Sequence, residues 1–282
     1  MVPQMGKSHS WQALHAHNSF VSDNETSHSP LAEASATSSA TATVEWCLDR
    51  RSDSTTSALA GPALLGEELY LAAPTRTAPR YPRQRNYTGY YYFSQISQHI
   101  WHESLLEAAT LRRLDYEQDI VAIAAQPMTI RFSDATWHIP DYLAVHADGT
   151  QVLYDVKPES LMNDAVLHQF SKTRDVCATV GWGYAICNDL APLVNRNLTW
   201  LANFKHRGYH PGVPAASKLL EFVAATSQHI TIGEAARSMG FQTMAHARSS
   251  VYHLIWVGML AIDLDKRIND NTIVKGGRHA RS

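Results

Sequence analysis

Apolar and polar positions alternate most regularly in PDYLAVHADGTQVLYDVKP, residues 140–158. Leu143, Val145 and Leu153 fall on one parity and Tyr142, Ala144, Val152, Tyr154 and Val156 on the other. This pattern predicts two strands of a sheet covered on both sides. Asp148-Gly149 is the turn signal, and loop length sets the register. A two-residue loop places Asp141 opposite Val156. A three-residue loop, Ala147 to Gly149 with Gly149 left-handed, places Asp141 opposite Asp155 and gathers Asp141, Asp155 and Lys157 on one face.

The pattern elsewhere predicts a mixed α/β chain. From Ser97 to Leu114 a three- and four-residue period aligns Ile100, Glu103, Glu107, Leu111 and Leu114 and predicts a helix. DIVAIAAQPMTIRF is β-rich, with Pro127 at a strand start or bend. NDAVLHQFSKTRDVCATV predicts a second helix and GWGYAIC a returning strand, so a right-handed crossover and a partly parallel sheet follow. Tyr90 to Phe93 read as an aromatic strand packing into the core, with base stacking the less favoured role. Trp182, between Gly181 and Gly183, reads as a packed turn.

Further on, AASKLLEFVAAT, TIGEAARSMG and AHARSSVYHLIWVG predict three short helices, and MLAIDLDKRINDNTIVK two strands. That is the winged-helix order, which suits contact with DNA or with protein equally.

These elements divide the chain into six parts. Residues 1–60, rich in Ser, Thr and Ala, read as a disordered polar tail. Residues 61–96 are an Arg- and Tyr-rich lead-in, in which ALLGEELYLAAP docks on the body. The α/β domain occupies 97–190, a linker 191–214, the winged helix 215–275 and a basic tail 276–282.

The chain has 282 residues and a formal net charge of −2, so no global field draws it to nucleic acid. Local excess exists at Arg76, Arg80, Arg83 and Arg85 and again near the C-terminus, and such clusters suit phosphates. Arg80, Arg83, Arg85 and, in the third C-terminal helix, Arg248 are the candidates for DNA or partner contact. His253 in that helix could likewise meet DNA or a partner surface. Cys47, Cys177 and Cys187 lack paired spacing and read as reduced thiols. No run approaches the roughly 20 apolar residues of a membrane span, and the first residues lack a signal-type hydrophobic region. A cytoplasmic protein without membrane contact is expected.

Two aspartates facing each other across a strand pair repel unless a cation lies between them, and a hard divalent ion held by carboxylate oxygens answers that need. Glu107 can supply a third carboxylate from its helix, and Lys157 can orient water or stabilise charge on a phosphate. His99 and His102 have a metal-compatible helical spacing but lack a further ligand pair.

ESLLE, AAQP, PDYLAVHADG and LYDVKP in this order resemble the PD-(D/E)xK nuclease pattern, and over residues 86–187 the TnsA-type endonuclease subunit of heteromeric transposases. The resemblance implies a restriction-endonuclease-like mixed sheet flanked by helices, followed by the winged helix. It implies catalysis by Glu107, Asp141, Asp155 and Lys157. Mg²⁺, with Mn²⁺ as a substitute, would be held by the three acids and the Val156 carbonyl, with Glu103 the competitor of Glu107 and Gln126 in support. It further implies a division of labour, in which an integrase-class transposase cuts the 3′ ends of an element, this subunit cuts the 5′ strands, and an AAA-type ATPase regulates the complex. A self-sufficient nuclease of restriction or junction-resolving type and a non-catalytic DNA-binding adaptor are the alternatives.

Overall fold

The computed structural model describes residues 42–49, 54–75, 87–226 and 229–280. The first strands, β1 (Thr43–Trp46) and β2 (Thr56–Leu59), precede two short 3-10 turns, Pro62–Gly66 and Leu69–Leu71. Then come β3 (Gly89–Phe93), β4 (Gln98–His102), α1 (Leu105–Glu117), β5 (Ile120–Ala125), β6 (Thr129–Arg131), β7 (Trp137–His138), β8 (Tyr142–His146) and β9 (Gln151–Val156). After these follow α2 (Asp164–Val180), β10 (Gly183–Cys187) and α3 (Pro192–Leu201).

The central sheet has the order β10-β9-β8-β5, with β10 parallel to β9 and the other pairs antiparallel. Both of its faces are covered, as the two apolar parities require. On one, Leu111 and Leu114 of α1 pack with Ile123, Tyr142, Ala144 and Tyr154. On the other, Val176, Cys177 and Val180 of α2 pack with Leu143 and Leu153. The predicted crossover is present: α2 links β9 to its parallel neighbour and ends at Gly181, whose φ of 97° forms the left-handed cap.

The register follows the three-residue loop. His146 and Thr150 flank it: the Gly149 N–H donates to the His146 carbonyl and the His146 N–H to that of Thr150. Gly149 sits at φ 86°, where L side chains are strained. Tyr142 pairs with Tyr154 and Leu143 with Leu153. One residue further along both strands, Asp141 stands opposite Asp155.

Three expectations are corrected. The helix does not begin near Ser97: residues 98–102 form β4, antiparallel to β3, and bury Ile100 beside Phe93. Ser104 starts the helix instead, its hydroxyl oxygen accepting the Glu107 N–H at 3.1 Å. His99 and His102 therefore lie on a strand, without the helical spacing. Within residues 1–60 the described portion is not disordered. β1 pairs with β2 and β6, and Val44 and Trp46, alternating with half-buried neighbours, enter the core beneath α2. Finally, 191–214 contains α3, whose Leu198 and Leu201 are buried in the C-terminal core.

That core is built by α4 (Val213–Ala225), β11 (Ile230–Thr231), α5 (Ile232–Ser238), α6 (Met244–Trp256), β12 (Leu260–Ala261) and β13 (Ile273–Gly276). The three predicted helices and two strands are all present. β11 adds a third strand to a small antiparallel sheet ordered β11-β13-β12. Thr231 and Glu234 close α5 with a reciprocal capping box. No helix among the described residues is long and apolar enough to cross a membrane.

Candidate active site

Glu107 is tied into the first turn of α1. One carboxylate oxygen accepts the Glu103 N–H at 2.7 Å and the other the Ser104 hydroxyl at 2.9 Å. The Tyr142 hydroxyl approaches at 3.4 Å from the sheet face that α1 covers. Burial raises the Glu107 carboxyl above its ordinary value, and the Glu103 and Ser104 donors oppose that shift. Glu103, the competing acid, thus supplies a backbone donor to Glu107.

Asp141 lies at the strand end, where β8 begins. Its Oδ2 accepts the Val156 N–H at 2.7 Å, taking the place of a ladder partner at the end of β9. Its carbonyl accepts the Gln126 N–H at 2.8 Å, which fixes the corner between β5 and β8.

Asp155 is 1% exposed. Nε2 of His138 lies 2.9 Å from both of its carboxylate oxygens, and the Tyr184 hydroxyl donates to Oδ2. Phe170 of α2 packs edge-on against both the His138 and Tyr184 rings. Burial, then the Asp155 charge, raises the Tyr184 hydroxyl well above its ordinary value, so the phenol stays a donor. Lys157 follows β9, partly buried, with its N–H donating to the Cys187 carbonyl at 3.0 Å.

The register thus sets Asp141 opposite Asp155 along the strands, with Lys157 two residues on. It does not bring Glu107 to them, because Glu107 meets the sheet on the α1 side and Asp155 turns to His138 and Tyr184 on the α2 side. Carboxylate oxygens are the right donors for Mg²⁺. The arrangement nevertheless does not fit that ion: among the described residues no three His, Cys, Asp or Glu side chains are grouped to hold a metal.

Gln126, the supporting residue, is 2% exposed at a left-handed φ of 48°, and neither atom of its side-chain amide has a hydrogen-bond partner. Its carbonyl accepts both the N–H and the hydroxyl of Thr75. A buried amide without partners is costly.

The proposed contact residues divide. Arg80, Arg83 and Arg85 lie outside the described residues. Arg248 is engaged by Asp270 through both Nε, at 2.8 Å, and a terminal nitrogen, at the base of the small sheet. His253 is 2% exposed, with Nδ1 2.8 Å from the Phe204 carbonyl, and is not a surface contact.

His138 and Tyr184 were not legible as partners of Asp155. The only sequence signal was the placement of His138 in the WHIPD stretch, three residues before Asp141.

Compared with protein-family models and with curated protein sequences, the chain matches none.

Proposed function

We propose that this chain is a DNA endonuclease subunit of the TnsA type, acting on the 5′ strands at the ends of a mobile element together with an integrase-class transposase and an AAA-type ATPase. The observation that carries the reading is the opposition of Asp141 and Asp155 on adjoining antiparallel strands, with Lys157 two residues beyond. Leaving aside β6 and β7, which join another sheet, they sit within the order α1-β5-β8-β9-α2-β10, which supports a restriction-endonuclease-like core. The order α4-β11-α5-α6-β12-β13 supports a winged helix after it. In this reading the Lys157 ammonium meets charge developing on the scissile phosphate, and Asp141 holds the end of β9 that presents it.

A specific observation favours a second reading, that of a non-catalytic DNA-binding adaptor: Asp155 is closed off by His138 and Tyr184. One experiment separates the two. Nicking of labelled element ends is measured with the partner transposase, with and without Mg²⁺. Asp141→Ala, Asp155→Ala and Lys157→Ala are each expected to lose about a hundredfold in rate, the scale of one electrostatic contribution to the transition state, with melting of Asp141→Ala and Lys157→Ala within a few degrees of wild type. Undiminished nicking in Asp141→Ala or Asp155→Ala overturns the nuclease assignment, and absence of nicking by the wild type leaves the adaptor.

A further inference from the structure

A cavity of about 380 Å³ opens where the end of α1 meets the C-terminal core. That volume suits a small ligand. Its wall draws cations from two distant parts of the chain: Lys205, Arg207 and His210 from the segment after α3, and Arg278 and His279 from the C-terminal stretch. We propose that it is a binding site for a terminal phosphate group, supplied by a free nucleotide or inorganic phosphate or by the 5′ end of a nucleic-acid strand. This goes beyond the proposed nuclease reading and does not rest on it.

Charge is the first argument. Two guanidinium groups, Arg207 and Arg278, and the Lys205 amine line the cavity with two carboxylates, Asp115 and Asp119, and histidines add to the positive side when they protonate. Asp115 is already consumed: 1% exposed, it accepts the Tyr91 hydroxyl at 2.9 Å and the Ser94 N–H and hydroxyl. Asp119 alone competes for the mouth, lying 3.2 Å from Arg278 and 2.9 Å from His279. Arg207 is exposed and, among the described residues, forms no ion pair. A fork of donors with no carboxylate, on the rim of a cavity, suits a planar or tetrahedral oxyanion.

Hydrogen-bonding direction is the second. Nδ1 of His210 accepts the Gly212 N–H at 3.0 Å, which leaves the proton on Nε2 as a donor. The neighbouring His253 ring, 5.7 Å away, gives its Nδ1 proton to Phe204. Lys205 lies under the Tyr91 ring at 3.8 Å and donates to the Tyr92 carbonyl, so it lends charge from the floor. The Arg207 guanidinium and the His210 Nε2–H therefore line the cavity as donors, which suit an anion.

Calorimetric titration with inorganic phosphate, AMP and a short oligonucleotide carrying either a 5′ phosphate or a 5′ hydroxyl tests the site. Saturable binding is expected for the phosphorylated ligands. Arg207→Ala, an exposed change that folding tolerates, should weaken it by about tenfold, the scale of one charge-assisted contact. Asp119→Asn, which removes the competing carboxylate, should strengthen it. Binding by phosphate and AMP identifies a small-molecule site, and binding confined to the 5′-phosphorylated strand identifies a nucleic-acid end. No saturable binding of any phosphorylated ligand overturns the proposal. So does equal binding of the 5′-hydroxyl strand, or affinity unaltered in both variants. None of these readouts depends on nicking.

Discussion

Asp141 and Asp155 differ by a single turn of the backbone yet live in different chemistry. The sequence contained their opposition, because a glycine after Asp148 permits the left-handed residue that a three-residue loop requires. It did not contain their partners. His138 and Tyr184 reach Asp155 from β7 and β10, which belong to two different sheets, and no local spacing encodes that meeting. Gln126 was legible as a residue of interest, but its unpartnered amide emerges only from the packing around it. Lys205 was not singled out, because a lysine in a polar stretch gives no sign that it will be buried. Burial pushes its amine down to about 8, against the opposing pull of Asp115. The sign of the linkage follows. Between pH 8 and the unfolded value near 10.5 the unfolded chain holds a proton that the folded chain has released, so folding stability rises with pH across that window. Below pH 8 both states are protonated and the cost of burying the charge is present in full. Chemical denaturation at pH 7.5 to 10.5 should show wild type gaining stability relative to Lys205→Met. Parallel profiles would mean that Lys205 keeps an ordinary affinity for its proton.

At the scale of elements, periodicity identified α2, β8, β9, β10 and the C-terminal helices, where runs are long and capped by Asn163, Thr231 and Thr243. It failed where two periods coincide. Ile100 satisfies a helical step to Glu103 and also a strand alternation across from Tyr91, and pairing with the aromatic β3 decides for the strand. It failed again at β1, where only Val44 and Trp46 carry the alternation inside a Ser- and Thr-rich region and low-complexity composition hides them. The hairpin between β8 and β9 offers a direct test of what sets the register. A Cβ at Gly149 would meet nothing within 4 Å, so substitution there is felt through the backbone alone. Gly149→Ala should cost about 1–2 kcal/mol, the left-handed penalty for an L residue, and Gly149→Asn less, since Asn tolerates that region. Urea denaturation of the two variants reads this order. Equal or negligible losses would mean that the loop readily adopts another conformation, and the Asp141–Asp155 opposition would lose its structural basis.

At the scale of the whole molecule, the two halves do not meet as separate bodies. Tyr116 of α1 belongs to the C-terminal core, its ring 5.5 Å from that of Trp256. The Trp256 indole N–H donates to the Ser94 hydroxyl at 3.0 Å, and that hydroxyl donates in turn to Asp115. Lys205 completes the bridge at 3.7 Å from Asp115. The sequence suggested a linker at this boundary because Pro211, Gly212 and Pro214 mark its end and the pattern changes beyond it. The packing there comes from side chains far apart in the chain, Tyr116 with Trp256 and Lys205 with Asp115, which periodicity cannot reach. Such a junction predicts mechanical coupling. Trp256→Ala removes a side chain that is 1% exposed and should cost about 3–5 kcal/mol. It also leaves Tyr116 facing a void and Ser94 without its indole donor. The loss should therefore spread to α1 rather than stay in α6. Native-state hydrogen exchange can resolve the two helices, because local openings and global unfolding have separable free energies. Amides in the last turns of α1 and those of α6 are expected to lose protection together in Trp256→Ala. Loss confined to α6, with α1 as protected as in wild type, would show that the halves fold independently and that the cavity between them is a contact rather than a shared structure.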